Sequence, residues 1–524
     1  MVVSVLSAYT SRVDLTLCGS LLLAISIVYV AGVCTYRLLW HPFARYPGPW
    51  QARLTTWYAA YHTFIGDWHL MVRHYHDHHG HVVRLSPNRL SFDTNTAVNT
   101  IYRSRDVKKS IAYSGIRAQD GTYHTFNMID KKLHAKRNRF MRQAMNNARV
   151  KTYEQAWRVH IDQLIEGLVL NTDPSSNTWS TAKNVGLLAD YMMIDIMGSM
   201  VFGREFNLQT SPENRYMATV LKKLGLWNSI KLQSYSFASM HLDKLAYPLR
   251  VWYGYRVRNQ VKRNVDDRAS EKVAKGTIFS ILLDAVDPES GDQLTVAELW
   301  AEAKLLMFAG SDQPSSSIAI TLFYLSRHDA VYARLVSEIM EAFPDPSEIC
   351  SGPQMDSCQY LDAVIKESFR MTPTSSAVPW REVDADSIVV DGLVIPRGCD
   401  VGASFYAVHH NESYFPDSYS FDPGRWLGEH AKTDPEVAQS AWCSFGIGER
   451  HCVAKTMAMM QIKNVLATVL RRLEMRRASD PELAQVGANP KLVQDRVFSE
   501  GEFQSRDHVT AQFEGPYLEF RRRV

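Results

Sequence analysis

The stretch FGIGERHCVA, residues 445–454, sets one cysteine, Cys452, behind two glycines and an arginine, with apolar residues on both sides. A cysteine that only fills a core needs no such setting, and a disulfide needs a partner. The seven cysteines (Cys18, Cys34, Cys350, Cys358, Cys399, Cys443, Cys452) form no CxxC pair and no regular spacing. An odd number in so long a chain is not a disulfide framework, and it points to a reducing compartment. What remains for Cys452 is a thiolate held out for a metal.

Three further stretches carry chemistry. LLMFAGSDQPSSSIAITLFYL (305–325) is an apolar helix interrupted by Ala309-Gly310 and by Ser311-Asp312-Gln313-Pro314. Small residues followed by an acid and a proline loosen helical hydrogen bonding in mid-span. The result is either a kinked core helix or one that lets a flat ligand lie against its backbone, with Asp312 on a proton path. In YLDAVIKESFRMTP (360–373), Glu367 and Arg370 share a helical face at i, i+3. Such a pair alone says little, because exposed helices are full of them. FDPGRW (421–426) adds Arg425.

Taken in order, these stretches resemble the cytochrome P450 family, the haem-thiolate monooxygenases. The pattern F-x-x-G-x-R-x-C-x-G/A is met by Phe445, Gly448, Arg450, Cys452 and Ala454. E-x-x-R is met by Glu367 and Arg370, and F-x-P-x-R-W by Phe421, Pro423, Arg425 and Trp426. The resemblance implies haem b with Cys452 as axial ligand, a thiolate that pushes electron density onto the iron and favours O–O cleavage. It implies that Arg450 pairs with a haem propionate. Glu367, Arg370 and Arg425 would form a buried ionic cluster that locks the cysteine loop, a structural role. Further cofactor contacts are implied for Phe445, Gly448, Ala309, Gly310, Arg381 and His134. The position four after His134, often arginine in relatives, is Asn138, so Arg137 is the substitute. Cys443 sits too early to be the ligand and reads as packing.

The helical stretch DKKLHAKRNRFMR (130–142), which holds His134, crowds Lys131, Lys132, Lys136, Arg137, Arg139 and Arg142 together. Such a run is either a solvated face or, beside the thiolate side of a haem, a docking surface for an acidic reductase. The partner implied is NADPH-cytochrome P450 reductase, with cytochrome b5 as a second option. HYHDHHGH (74–81) suggests zinc, but no cysteine or acid cluster completes a four-ligand set.

One departure bears on mechanism. Relatives carry an acid followed by threonine, a pair that delivers protons to iron-bound dioxygen; here Asp312 is followed by Gln313 and then Pro314. Glutamine hydrogen-bonds but cannot relay a proton as a hydroxyl does. Ser311, Ser315, a held water or a substrate hydroxyl are the substitutes open to it. Asp312 and Gln313 are the expected catalytic positions. The favoured reading is a reductase-dependent monooxygenase. The alternatives are a haem-thiolate isomerase or dehydratase that needs no dioxygen, and a non-catalytic haem binder.

The elements that must position these residues are mostly helical. Amphipathic patterns run over roughly 130–148, 152–170, 180–202, 213–230, 246–268 and 295–326. Strand patterns occur at 79–92 around Ser86-Pro87-Asn88, at 386–405, and at 508–520 with a turn at Gly515-Pro516. The fold class expected is mainly α with small β-sheets, α+β, in the cytochrome P450 fold. No βαβ alternation or glycine-rich phosphate loop is present, which argues against a nucleotide fold.

Leu15 to Tyr36 carries no charge and is long enough to span a bilayer. Arg37, Arg45 and Arg53 follow it, so the body lies on the cytosolic side. The expected division is a non-cytosolic tail at 1–14, a transmembrane anchor at 15–36, a proline-containing neck at 37–50 and a catalytic domain at 51–524, in the endoplasmic reticulum membrane. A net charge of +3 over 524 residues gives no reason to expect nucleic acid. Tyr113, Tyr123, Phe126, Trp227, Phe237 and Val378 fall where the family's pocket is lined and imply a bulky, largely apolar small molecule. The neck, the first strands and MGSMVFGREFNL (197–208) look most like filamentous-fungal members, many of which oxidise terpenoids, polyketides or indole alkaloids.

Overall fold

The computed structural model describes residues 2–118, 120–170, 178–242, 275–430, 432–495 and 498–523. Helix α1 (Val2–Thr35) opens the chain, so the tail expected at 1–14 is continuous with the anchor helix. Thr16–Trp40 is an apolar run of 25 residues, none of it buried, and is long enough to cross a membrane. Apolar side chains on every side of a lone helix suit a solvent as apolar as themselves. Val185–Phe202 passes the same length and composition test, yet 78% of it is buried, which makes it core. The proline neck is docked: Arg84 N donates to Pro47 O at 2.7 Å. A Cβ on Gly48 would stand 2.3 Å from the Arg84 carbonyl oxygen, so only glycine fits there.

The body is built on α2 (Trp57–Ile65), α3 (Trp68–His79), α4 (Asn95–Arg103), α5 (Lys131–Ala144), α6 (Asn147–Leu168), α7 (Val185–Met197), α8 (Tyr216–Gln233), α9 (Val296–Leu325), α10 (Gln359–Met371) and α11 (Lys455–Arg472). The helical patterns of the sequence are met, except that 246–268 lies outside the described residues. Caps explain several of the starts. Asp130, Asn146 and Asn184 each accept a backbone N–H in the first turn of α5, α6 and α7. Thr295 and Glu298 close a capping box on α9. Pro314 does not end α9; it removes the N–H that the Gly310 carbonyl would have accepted in a regular turn. The apolar α7 lies against α9 and both belong to the main core, with α6 and α11.

The principal sheet has the order β1-β2-β8-β5-β3, where β1 is Val82–Ser86, β2 Arg89–Phe92, β3 Val107–Lys109, β5 Arg381–Val383 and β8 Asp400–Ala403. β1 and β2 form the hairpin expected at Ser86-Pro87-Asn88. β6 (Ser387–Val390) and β7 (Leu393–Pro396) pair across Asp391 and Gly392, both at positive φ, as a two-residue hairpin turn requires. A third sheet has the order β4-β12-β9: Lys183–Asn184, Tyr517–Arg522 and Leu473–Arg477.

The C-terminal pairing corrects the sequence reading. Gly515-Pro516 does not turn a hairpin. Instead β10 (Arg506–Asp507) pairs with β11 (Ala511–Gln512) around His508–Thr510, and β12 leaves to join β9. That exchange buries Leu518 and Phe520 in the main core, a gain local alternation could not reveal.

Candidate functional site

Cys452 sits between a short 3-10 turn (Gly448–Arg450) and α11, and its N–H donates to Phe445 O at 2.8 Å. Gly446 and Gly448 take φ of +70° and +73°, the left-handed region that glycine enters freely. Burial pushes the Cys452 thiol up, opposed by the Ala454 N–H and the Lys455 ammonium. Trp442 and Phe445 meet edge to face at 5.9 Å, and Lys455 lies 5.7 Å from each ring centroid. Cys443 is buried and packs among apolar residues, as expected.

The loop is tied to a buried ionic cluster by one histidine. Arg370 Nη1 donates to His409 O at 2.9 Å, and the His409 ring nitrogen Nε2 accepts the Cys443 N–H at 3.1 Å. Burial, with Arg370 nearby, lowers His409 to about 3, so the ring is neutral and its proton stays on Nδ1. Glu367 bridges Arg370 and Arg425, each at 2.9 Å, with all three side chains fully buried.

Beside the loop, Lys109, His134, Arg381 and Arg450 crowd together. Burial lowers Lys109 well below its usual range, and Arg381 and Arg450 lower it further. Arg450 is lowered to about 10 by burial and then by Arg381; His134 falls to about 3 through burial, Arg450, Lys109 and Arg381. Among the described residues none of Lys109, Arg381 and Arg450 forms an ion pair with a carboxylate. Arg450 donates to Met128 O and Ile129 O at 2.6 and 3.0 Å; Arg381 donates to Pro379 O and Trp380 O, each at 3.2 Å. Lys109 donates to Phe126 O and lies 4.5 and 4.4 Å from the Tyr113 and Phe126 rings. Like charges gathered in an interior call for an anion among them. With a cysteine in a glycine-shaped loop alongside, this set fits a flat iron group bearing two carboxylate arms.

On α9, Leu305, Ala309 and Gln313 recur every four residues as a half-buried stripe in a helix otherwise mostly buried from Ala301 onward. Asp312 lies off that stripe and is buried. Burial raises its carboxyl to about 6; Asp190 adds to the rise, while Thr510, Lys222 and Gln512 oppose it. Lys222 pairs with Asp190 at 2.5 Å and is 32% exposed, so a charged pair leads from Asp312 to solvent. Asp190, Lys222, Ser311 and Asp312 line one small pocket with Ile194 and Ala218.

The Cytochrome P450 family model matches residues 53–494. The chain is a cytochrome P450. Its relatives include the cytochrome P450 monooxygenase AKT7 of Alternaria alternata, 35% identical over 96% of this chain and 97% of its own length. Apf7 of Gibberella fujikuroi is 34% identical over 94% and 96%, and atnE of Emericella nidulans 33% over 96% of both; both are named cytochrome P450 monooxygenases. The P450 is thus an oxidoreductase of the monooxygenase type, with a helix-rich fold, a haem-thiolate cofactor, a small-molecule substrate and the need for a redox partner. Relatives named monooxygenases weigh against the isomerase, dehydratase and non-catalytic readings.

Several expected roles change in three dimensions. Arg137 does not join the cation cluster: it pairs with Glu298 and, at 3.4 Å, with Glu302 at the start of α9. Two acidic side chains one helical turn apart hold that guanidinium at the start of α9. A Cβ on Gly310 would meet Met197 Sδ at 2.7 Å, so that glycine admits α7. Trp227 and Phe237 stack on each other at 6.1 Å in a cluster with Ala60 of α2, and Val378 packs with Trp380 and Trp68 under the sheet. Tyr113 is buried, and Tyr123 lies under the Arg117 guanidinium.

The basic run of α5 is largely neutralised within the chain. Lys131 pairs with Asp384, Lys136 with Asp292, and Arg139 with Asp287 and Glu289. Lys132 and Arg142 are exposed, without an ion pair among the described residues. The histidines of 74–81 have separate partners: His76 meets Ser91, His78 the His74 carbonyl, and His81 Asp93. Sequence reasoning missed Lys109, Asp190, Lys222 and Thr510, because each acts between separate elements of the fold and none belongs to a motif.

Proposed function

We propose that this P450 holds haem b through the Cys452 thiolate and oxidises a bulky, largely apolar small molecule with electrons from NADPH-cytochrome P450 reductase, cytochrome b5 serving as a second donor. The observation that carries this is the glycine-shaped Cys452 loop beside three basic side chains, Lys109, Arg381 and Arg450, none of which has a carboxylate partner among the described residues. Bound there, the haem supplies dioxygen activation. The chain's own residues then do three things. Arg450, Arg381 and Lys109 would hold and neutralise the propionates with the neutral His134 ring as a hydrogen-bonding neighbour, Ala309 keeps its part of the α9 stripe open, and Asp312 holds a proton in reach of the Lys222 and Asp190 pair. An acid near pH 6 exchanges protons readily at cellular pH.

The exposed helix and the arginines after it support a single anchor in the endoplasmic reticulum membrane, with residues 51–524 as a cytosolic catalytic domain after the neck. Tyr113, Tyr123 and Phe126 are the substrate-side residues this reading keeps. Similarity to monooxygenases of filamentous fungi supports a substrate from secondary metabolism, a terpenoid, polyketide or indole alkaloid.

The test is the carbon monoxide difference spectrum of the reduced protein. A strongly red-shifted Soret band that disappears in Cys452→Ser is the expected result, with turnover that requires the reductase. A band typical of histidine-ligated haem overturns the proposal. Lys109→Ala should speed transfer of haem to an acceptor protein roughly ten- to hundredfold, the worth of one charge-assisted contact of about 1.5–3 kcal/mol. An unchanged transfer rate would remove Lys109 from the propionate site.

A further inference from the structure

The hydroxyl that α9 lacks at position 313 is present at its acid from another direction. Thr510, at the turn between β10 and β11, donates its Oγ1 hydrogen to Asp312 Oδ2. Gln512, on β11, donates from Nε2 to the same oxygen at 3.2 Å and to Oδ1 at 3.5 Å, and also to Thr510 Oγ1 at 3.1 Å. The hairpin is anchored by its backbone as well: Ala511 N donates to Thr374 O at 2.8 Å, and Ser316 Oγ to Ala511 O at 3.4 Å.

The nearer hydroxyls are committed elsewhere. Ser311 donates to Met307 O, a bond within its own helix. Ser315 donates to Asp190 Oδ1 at 2.7 Å and to the Asp312 backbone oxygen at 3.0 Å. Asp312 is therefore faced by Asp190 from α7, Lys222 from α8, and Thr510 and Gln512 from the hairpin. Of these groups, only the hairpin pair donates hydrogen bonds to the Asp312 carboxylate.

We propose that Thr510 is a positioning residue for proton delivery: with Gln512 it fixes the Asp312 carboxylate in one orientation and favours its charged form, supplying from the C-terminal hairpin the hydroxyl that the distal helix lacks. This rests on the monooxygenase reading, in which Asp312 is the proton-holding group. The bond stabilises the anion against burial and against Asp190, so losing it raises the proton affinity of Asp312 and slows release.

The test compares full-length wild type with Thr510→Val, Thr510→Ser and Gln512→Leu. The protonated Asp312 band is titrated by infrared difference spectroscopy and assigned by its loss in Asp312→Asn. The wild-type midpoint is expected at about 6. Thr510→Val should raise it by about one unit, Gln512→Leu by less, and Thr510→Ser should leave it in place. In turnover, Thr510→Val should divert reducing equivalents from product to hydrogen peroxide severalfold, with the carbon monoxide spectrum and substrate affinity unchanged; Thr510→Ser should restore coupling. An unchanged midpoint and unchanged coupling in Thr510→Val, in protein that shows the thiolate band, overturn this proposal alone. Absence of the thiolate band from wild type overturns the haem-thiolate reading instead.

Discussion

Glu367→Gln should destabilise the P450 by about 3–5 kcal/mol, the cost of leaving buried charge without its partner. Glu367 Oε1 accepts from Arg370 Nη2 and Arg425 Nε, each at 2.9 Å, and from Asp422 N at 3.1 Å. Its Oε2 accepts from Arg370 Nε at 2.9 Å and Trp426 Nε1 at 3.0 Å. A neutral amide would face two guanidiniums with a donor where they need an acceptor. The guanidiniums cannot turn away, because they also close carbonyls of the following loops: Arg370 those of His409 and Ser418, and Arg425 that of Pro416. A loss of that size is a large share of a typical total of about 5–15 kcal/mol.

The same carboxylate predicts a pH effect. Burial alone would raise Glu367, but Arg370 and Arg425 more than offset it and leave it lowered. A depressed folded-state pKa contributes stability that is present above the unfolded value and lost as pH falls through the folded one. Wild type should therefore lose stability below the ordinary carboxylate range, with a shallower acid slope in Glu367→Gln. Denaturant midpoints at several pH values test both points. A neutral-pH change under about 1 kcal/mol would mean the cluster is not the clamp its geometry describes.

Gly448→Ala should be nearly as damaging, and for a separable reason. The φ of +73° alone costs an alanine about 1–2 kcal/mol. The added Cβ would also stand 2.1 Å from the Tyr102 backbone oxygen and 3.2 Å from Arg103 Cα. Tyr102 cannot retreat freely, since its hydroxyl accepts from Ala403 N at 2.9 Å across to β8. Overpacking adds about 1–3 kcal/mol. Gly446→Ala is the control: its φ is +70°, but the nearest atom to an added Cβ is at 3.7 Å. It should show the conformational cost without the clash. Thermal midpoint and the fraction of protein with the thiolate spectrum are the measurements, and equal effects at the two glycines would refute the contact argument.

What was legible in the sequence was local. The Cys452 loop, the i, i+3 pairing of Glu367 with Arg370, and the spans of α5 to α9 follow from spacing, caps and periodicity within one element. The uncharged run from Leu15 to Tyr36 was legible for the same reason, since its composition alone sets the solvent it tolerates. Where reading failed, a long-range pairing had won. Arg137 lies where a cofactor contact was expected, yet two glutamates on α9, some 160 residues later, claim it. Gly515-Pro516 has turn chemistry, but burial of Leu518 and Phe520 beside β9 takes that strand out of the hairpin.

The sequence by itself determined which residues can carry the chemistry, a cysteine that glycines hold out and an acid inside an apolar helix; the buried charge cluster was implied only by the family resemblance. Only the tertiary structure decided that Thr510 and Gln512 reach Asp312, that Lys222 and Asp190 lead from it to solvent, and that Lys109 completes the cation cluster. The physical reason is that a hydrogen bond or ion pair depends on where helices and hairpins cross. Those crossings are set by packing of the whole core, which no short stretch of sequence records.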